Sequence, residues 1–467
     1  MDRERLVAAG RAVETGARRR PRWLSALSLS AGLQVVLLVM TQPLSAAQEG
    51  TPATAEAPRV MATFTLPDIP LASLQNEALP ERPIADDRGV MLGDIIGSDL
   101  WHGPDDAENE FWSITDRGPT GEIEVDGEEH RTFPVPEFTP FILHVRGDDG
   151  ELEILEAIPI VTPQGEPVTG ISNLAGTDEE PFDFTGNESL GYNQSGLDVE
   201  GLVQTSDGGF WLAEEYRPSL VKVDADGRVI ARYVPEGVAL PNAGYPVEAT
   251  LPAIYGLRQN NRGFEGLALS GDGKTLFAVL QSPLSNPDDK AGEASRSGRI
   301  LAVDTASGRP VAEYVYALED AAAFDPALGD GDQNEVKLSG LVWLDESTLL
   351  VLERTDEVAR LYRVDLNEAT DILGSEWDDP ATSPSLESLD DPVAADVQPL
   401  PKTLAIDLAA IPDMPDKIEG VAIVDDDTIA VSNDIDFAFG DFNEAGRLQR
   451  TGDQSYLLVI DAPIAAP

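Results

Sequence analysis

One β-hairpin pattern recurs along this chain, and it limits the possible folds more than any other feature. In its clearest copy, residues 262–282, two apolar runs flank a Gly-Asp-Gly-Lys turn at 271–274. Glycines in such a turn adopt the positive φ angles that a tight hairpin needs. An antiparallel hairpin brings the start of its first strand beside the end of its second. We therefore predict that Glu265 and Gln281 are neighbours at the open end.

The same layout returns in four further copies, one of which is more distant and covers 97–118. The other three copies open on Glu200-Gly201, Ser339-Gly340 and Glu419-Gly420, and they close on Glu214-Glu215, Glu353-Arg354 and Asn433-Asp434. A second hairpin follows each copy, so each unit is expected to form a four-stranded sheet. Units that recur every ~65 to 80 residues are typical of propeller blades with long loops.

The sequence from Val60 onward indicates an all-β fold, because short apolar runs alternate with Gly, Asp, Asn and Pro and no long segment has a helical period. We predict a β-propeller of four-stranded antiparallel blades, with five repeat units visible and six blades in total. The sixth would lie in the divergent segments 159–197 or 374–415. The last unit is one strand short, and residues 62–66 are predicted to complete it and so cover a sheet edge. The alternative is a two-domain β-sandwich.

Residues 1–47 have the features of an export signal. An arginine cluster at 18–22 precedes an apolar run that is purest at 33–40, and the small residues at 45–47 fit a cleavage site. The predicted organisation is a signal peptide (1–47), a flexible linker (48–59) and a propeller domain (60–467). We expect a secreted or periplasmic protein with no stable membrane span after cleavage. An uncleaved membrane anchor is the alternative.

The net charge of the chain limits the classes of partner that it can bind. Its 84 acidic and 32 basic residues give a formal net charge of −52. This charge argues against binding to nucleic acid or anionic membranes and favours multivalent cations. An acidic exported protein that simply stays dispersed is the alternative explanation. The chain has no cysteine, so disulfides, thiol nucleophiles and cysteine-bound zinc are excluded. We expect a monomer that acts on a small molecule.

In a propeller, the corresponding ends of the inner hairpins face one mouth of the central channel, so the repeats would bring carboxylates together there. Oxygen ligands without His or Cys are typical of a hard cation, Ca²⁺ first and Mg²⁺ second. The predicted metal ligands are Asp116, Glu200, Glu215, Glu265, Glu353, Glu419 and Asp434. Four of these are also the predicted catalytic residues, which would hold the metal or activate a water: Glu200, Glu215, Glu265 and Glu419. Alternatively, each Glu accepts backbone hydrogen bonds from the next blade and is purely structural.

Three arginines directly or nearly follow these acids and are predicted to hold a substrate anion in bidentate fashion: Arg117, Arg217 and Arg354. Tyr216 and Gln281 complete the predicted substrate-binding set. In the structural alternative, the arginines would instead form ion pairs between blades, and no substrate would contact them.

Four segments resemble motifs of the family called "esterase-like activity of phytase", which is related to the β-propeller phytases. They are Thr-Asp-Arg-Gly-Pro at 115–119, Glu-Glu-Tyr-Arg-Pro-Ser at 214–219, Arg-Gly-Phe-Glu-Gly-Leu-Ala at 262–268 and Lys-Ile-Glu-Gly-Val at 417–421. The resemblance covers most of the chain after the linker. It implies a propeller, a calcium requirement and hydrolysis of a phosphate ester or similar ester. The chain departs from the phytase pattern at its Asp-Asp-Pro-Ala sequence, 378–381, which continues into Thr-Ser-Pro and which we interpret as a loop.

These observations together predict an exported calcium-dependent hydrolase of phosphate esters. One alternative is a calcium-dependent, lactonase-like esterase that acts on uncharged esters, in which the arginines would be structural. The other alternative is a non-catalytic extracellular propeller, in which calcium stiffens the channel and partners bind the acidic loops.

Overall fold

The computed structural model describes residues 57–67, 96–329, 331–442 and 448–464. The predicted signal at 1–47 and most of the predicted linker lie outside these residues. The described part is almost entirely β-structure, with two short α-helices, α1 (Asp289–Ala294) and α2 (Ala321–Phe324). It contains no helix with the length and apolar character that crossing a membrane requires.

Five sheets of four or five strands hold the five copies of the repeat, and all their pairs are antiparallel except one. From the innermost strand outward, the first sheet contains β2 (Asp99–Trp101), β3 (Glu110–Ile114), β6 (Phe141–Asp148) and β7 (Glu151–Pro159). The second contains β9 (Val199–Gln204), β10 (Phe210–Glu214), β11 (Ser219–Val223), β12 (Val229–Pro235) and β13 (Val247–Leu251). The third contains β14 (Phe264–Leu269), β15 (Thr275–Leu280), β16 (Ser297–Asp304) and β17 (Arg309–Ala317).

The fourth sheet contains β18 (Lys337–Asp345), β19 (Thr348–Arg354), β20 (Ala359–Asp365) and β21 (Lys402–Asp407). The fifth contains β22 (Ile418–Asp425), β23 (Thr428–Asn433), β26 (Leu457–Asp461) and β1 (Arg59–Phe64). The strand predicted at 62–66 therefore overlaps β1, which begins and ends earlier and pairs antiparallel with β26 in the sheet of the last repeat. The all-β prediction of four-stranded antiparallel sheets is confirmed.

The remaining elements are short. Two small sheets are formed by β4 (Gly121–Val125), β5 (Glu128–Phe133) and β8 (Pro181–Asp183), and by β24 (Phe439–Phe442) with β25 (Leu448–Arg450). Single turns of 3₁₀-helix occur at Ala253–Leu257, Gln333–Glu335, Glu376–Asp378, Leu386–Ser388, Pro392–Ala395 and Leu408–Ala410. Asp436–Ala438 is a left-handed turn, in which all three residues have positive φ. The segments 159–197 and 374–415 contain only such elements and β21 of the fourth sheet. The sixth blade predicted there is therefore absent from the described residues.

Each large sheet is apolar on both faces because it packs between two others. In the third sheet, for example, Leu267 and Leu276 pack against the second sheet, while Ala268 and Phe277 pack against the fourth. The other neighbours share cores in the same way, first with second, fourth with fifth, and fifth with first. Burial on both faces explains why the strands are nearly continuous apolar runs instead of alternating patterns.

The glycine after each opening residue allows neighbouring inner strands to approach closely. A Cβ atom at Gly201 would lie 2.1 Å from the carbonyl oxygen of Glu265, and one at Gly266 would lie 2.3 Å from that of Ser339. Real Cβ contacts are never this short, so only glycine fits these positions. The close approach aligns the starts of the inner strands and brings their polar residues to one end.

Candidate functional site

A charged opening lies where the inner strands β9, β14, β18 and β22 begin, and we call it the carboxylate mouth. It consists of two adjoining cavities of about 340 and 360 Å³ that share Glu200, Glu215, Asp434, Asp436, Arg131 and Asn261. The first cavity, the acidic chamber, is further lined by Asp116, Arg117 and Asp198. The second, the basic chamber, is further lined by Arg262, Glu265, Gln281, Lys337, Arg354, Lys417 and Glu419.

Three carboxylates form a compact group in the acidic chamber. Asp198, Glu200 and Glu215 each place one carboxylate oxygen so that the three oxygens lie within 4.8 Å of one another. Asp198 and Glu200 are two residues apart at the start of β9, so their side chains leave the strand on the same face. Glu215 directly follows β10, the strand that pairs with β9. The hairpin geometry therefore assembles this group, which we call the carboxylate triad.

Burial and mutual repulsion keep these carboxyls from ionising easily. Burial raises the pKa of Glu200, and the neighbouring Asp198, Glu265 and Glu215 raise it further. The pKa of Glu215 is raised by burial and then by Glu265 and Asp198. Burial also raises the pKa of Asp198 to about 6, although Arg117 opposes the shift. Without a cation, the triad therefore retains protons that a bound cation would displace.

Arg117 is fixed beside the triad. Its backbone N–H donates to Asp198 Oδ1 at 3.1 Å, and its Nε lies 3.3 Å from Asp198 Oδ2. The guanidinium also lies 4.2 Å from the ring centroid of Tyr216, whose hydroxyl donates to Glu179. The ring of Tyr216 thus helps to hold the Arg117 guanidinium in place beside Asp198.

Gln281 links the triad to the basic chamber. Its Nε2 donates to Glu215 Oε1 at 3.0 Å and also to Glu265 Oε1. This contact confirms the prediction that Glu265 and Gln281 are neighbours. The pKa of Glu265 is raised to about 8 by burial and then by the charge of Glu419, while the Gln281 hydrogen bond opposes the shift.

Asp116 and Asp434 extend the acidic chamber from the first and fifth sheets. The pKa of Asp116 is raised by burial and then by the charges of Asp434 and Asp198. Burial raises the pKa of Asp434 to about 7, against the effect of Lys417. Lys417 Nζ lies 2.7 Å from Asp436 Oδ2 and 3.4 Å from Asp434 Oδ2.

Cationic side chains surround the basic chamber. Arg354 donates to Glu419 Oε1 through Nη2 and to Ser339 Oγ through Nε at 3.1 Å. Lys337 Nζ lies 3.5 Å from Asp356. Arg262 donates to the carbonyl oxygen of Asn334 at 2.6 Å. The basic chamber therefore combines five cationic side chains with six carboxylates, and it shares four of these carboxylates with the acidic chamber.

Three predicted site residues lie elsewhere, and one of them is Tyr216, whose ring contacts Arg117 but which lines neither chamber. Glu353 accepts hydrogen bonds from Tyr316 at 2.7 Å and from Lys402 at 2.8 Å, and it is fully buried in the fourth sheet. The guanidinium of Arg217 turns away from the mouth and donates to the backbone carbonyl oxygens of Asn173 and Asn193. Glu353 and Arg354 are consecutive residues of β19, so their side chains leave the strand in opposite directions and only Arg354 reaches the mouth. Arg217 lies three residues after the end of β10, where the strand no longer sets the direction of its side chain.

Several residues that line the mouth were not among those predicted from the sequence. Asp198, Lys337 and Lys417 each stand two residues before the polar residue that opens their repeat. Arg262 stands three residues before Glu265. Because residues two apart on a strand share a face, this position could have been read from the repeat alignment itself.

The carboxylate triad fits a calcium ion by the chemistry of its donors. It offers only carboxylate oxygens, and Ca–O distances of ~2.4 Å accommodate ligands up to ~4.8 Å apart on opposite sides of the ion. Asp116 and Asp434, which line the same chamber, supply additional oxygens. The described residues therefore contain a donor set suited to a hard divalent cation.

The sequence matches the phytase-like family described as "Esterase-like activity of phytase" over residues 98–437. The chain belongs to this phytase-like family. The matched residues include every lining residue of the carboxylate mouth.

A relative of this phytase-like protein is an "uncharacterized secreted protein" from Arthroderma benhamiae, which is 28% identical over 238 residues. The match covers 45% of this chain and 46% of that protein, so the chain spans about half the length of this relative. Among solved structures, a luciferin-regenerating enzyme gives a TM-score of 0.32 at 11% identity and covers 79% of this chain and 92% of that one. Regucalcin, a calcium-binding protein from Agrobacterium tumefaciens, gives 0.31 at 10% identity and covers 80% and 95%.

Proposed function

We propose that this protein is an exported, calcium-dependent hydrolase of phosphate esters, with its active site in the carboxylate mouth. In this proposal, the five sheets are the blades of a closed five-bladed propeller, which the cores shared between neighbouring sheets support. The observation that carries the functional proposal is the juxtaposition of the carboxylate triad with a chamber lined by cationic side chains. Membership of the phytase-like family supports ester hydrolysis, and the secreted relative supports export.

The triad is proposed to hold the cation, and Asp116 and Asp434 to add oxygen ligands. A bound divalent cation would polarise a phosphoryl oxygen and lower the pKa of a water molecule. Arg117, held against Asp198, would limit the negative charge that remains on the triad. Gln281 would keep Glu215 and Glu265 in fixed positions, because it donates to both carboxylates.

The basic chamber is proposed to bind the phosphate group. Arg354, Lys337 and Lys417 each have an acidic neighbour, so the chamber is close to neutral before substrate enters. A phosphate group there would compete with those neighbours for the same N–H donors. Glu265 and Glu419, which line the basic chamber, are placed to accept a proton from an attacking water or to return one to the leaving group.

The test measures hydrolysis of a phosphomonoester, a phosphodiester and a carboxylic ester by purified residues 48–467, with calcium and with chelator. Turnover of a phosphate ester that chelator abolishes and calcium restores is expected. Turnover of only the carboxylic ester, unchanged in Lys337→Gln, would favour the lactonase-like alternative. No turnover of any ester, with calcium only raising the melting temperature, would leave a metal-stabilised binding protein.

A further inference from the structure

Arg217 is a buried cation whose guanidinium lacks a complete set of partners. Its side chain is only 2% exposed. The Nη2 atom donates to the carbonyl oxygens of Asn173 and Asn193, but Nε and Nη1 have no hydrogen-bond partner in the described part of the chain. A buried donor without a partner costs about 1–3 kcal/mol in comparable proteins, and more when it carries charge.

The charges around Arg217 do not balance. The nearby carboxylate of Glu214 is already paired with Arg232 at 2.6 Å and also accepts from Ser219 Oγ at 3.1 Å. No carboxylate of the described residues forms an ion pair with the Arg217 guanidinium. Burial, followed by repulsion from Arg232, lowers the pKa of Arg217 to about 10. In a chain of net charge −52, a buried arginine without its own acid is unexpected.

A cavity of about 260 Å³ lies against this arginine. Its walls come from the loop before β8, the turn after β10, the loop after β12 and the 3₁₀-helix Ala253–Leu257. Arg258 also lines it, but the charge of that residue is cancelled by Asp178 at 2.5 Å. None of the residues that line this cavity lines either chamber of the carboxylate mouth. It is therefore a separate pocket, which we call the Arg217 pocket.

We propose that the Arg217 pocket binds a small oxyanion, a carboxylate or phosphate group, which pairs with the guanidinium of Arg217. A water molecule in the pocket would satisfy a donor but would leave the positive charge uncompensated. An oxyanion would satisfy the donor and would also compensate the positive charge. The acidic surroundings of the chain repel anions generally, so binding here depends on this arginine. The proposal is independent of the hydrolase function.

The first measurement is the affinity of purified residues 48–467 for inorganic phosphate and for acetate, by calorimetry in the presence of chelator. Wild-type protein is expected to bind one of these anions at the Arg217 pocket, and Lys337→Gln should keep that binding although it loses any phosphate binding in the basic chamber. Arg217→Gln is expected to bind at least about thirtyfold more weakly, as removal of one partner from a buried charge pair implies. Equal affinity in wild type and Arg217→Gln would overturn the proposal. Loss of anion binding in Lys337→Gln alone would place the anion in the carboxylate mouth and would also overturn the proposal.

A second pair of variants tests the proposal even if Arg217→Gln fails to fold. Gly256 lines the pocket, a Cβ atom there meets no atom within 4 Å, and its φ is not positive. Gly256→Glu would supply a carboxylate from the chain itself, and Gly256→Gln is its neutral control. We expect Gly256→Glu to melt a few degrees higher than Gly256→Gln without added anion and to lose the stabilisation by anion. Identical melting temperatures and identical anion responses in the two variants would contradict the proposal.

Discussion

The two ends of the inner strands differ in chemistry although the same hairpins build both. At the start of the strands, the carboxylate mouth holds buried acids whose pKa values are raised. At the opposite end, a cavity of about 650 Å³ is lined by Trp101, Leu269, Trp343 and Ile423 together with the hairpin turns. The acids of those turns are exposed: the pKa of Asp272 is lowered to about 2 by hydrogen bonds from Lys274 and Ser270.

This difference shows that the acidity of the chain serves two purposes. Acids in the turns accept local hydrogen bonds and keep the surface hydrated, as any soluble protein requires. Acids at the mouth are crowded and buried, which is unfavourable unless a cation or substrate compensates. The net charge of the chain is therefore a poor indicator of function. The position of an acid at one end of a strand or the other is a better one.

The largest expected effect is a loss of activity from a substitution at one end of a hairpin but not at the other end. We expect Glu200→Gln, at the start of β9, to lower kcat/KM for a phosphate ester by at least about 10³-fold, because it removes a proposed cation ligand. Asp207→Asn, in the turn at the far end of the same hairpin, is the matched control and should retain full activity. Assays of both variants at saturating calcium test this. Comparable activity in the two variants would remove the distinction between the ends.

Calcium should stabilise the protein through the mouth alone. At a concentration of about 100 Kd, a ligand that binds only the folded state adds about 2.7 kcal/mol of stability. We expect the melting temperature to rise with calcium in wild type and in Asp272→Asn, but much less in Glu215→Gln. Thermal unfolding with calcium and with chelator measures the effect. An unchanged calcium response in Glu215→Gln would place the cation elsewhere.

The pH dependence of stability should differ with and without calcium. The carboxyls of Asp434 and Glu265 have folded-state pKa values raised to about 7 and about 8. A carboxyl with a raised pKa contributes stability below its unfolded pKa and loses it as pH rises through the folded value. In chelator, we therefore expect the melting temperature to fall between about pH 5 and pH 8.

Calcium should reduce that loss, because a cation compensates the ionised carboxylates. Melting curves across this pH range, in chelator and in calcium, provide the comparison. Two parallel pH profiles would indicate that the mouth does not bind the cation, and a flat profile in chelator would indicate that the mouth does not titrate as the geometry implies. In Glu265→Gln, the fall in chelator should be smaller than in wild type, because one of the titrating groups is gone.

Much of this arrangement was predictable from the repeat. The hairpin pattern revealed five repeat units, which form the five large sheets, and it predicted the contact between Glu265 and Gln281. These features depend on local strand geometry, which recurs in each copy. The sixth blade was expected in the divergent segments 159–197 or 374–415, but those residues form loops, 3₁₀ turns and the strands β8 and β21, which belong to other sheets.

The side-chain partners were less predictable. When the repeats are aligned on Gly201 and Gly340, Glu353 corresponds to Glu214 and Arg354 to Glu215. The neighbours of Glu353 and Arg217 in space come from outer strands and loops far away in sequence. Lys402, on β21, donates a hydrogen bond to Glu353. Arg217 donates to backbone carbonyl oxygens of the loop at 173–193. Such long-range contacts leave no periodic signal, whereas Asp198 and Lys417 do, through their spacing of two residues from the opening acid.

The smallest expected effect concerns the apolar end. A Cβ atom at Gly271 would lie 2.6 Å from the Trp343 ring, and the φ of Gly271 is not positive. Gly271→Ala should therefore lower stability by about 1 kcal/mol through this clash while kcat/KM stays within about twofold of wild type. In a Trp343→Leu background, the same change should cost less, because the clashing ring is gone and neighbouring changes are not additive. Thermal unfolding of the four proteins measures this coupling, and a loss of turnover in Gly271→Ala would show that the two ends communicate.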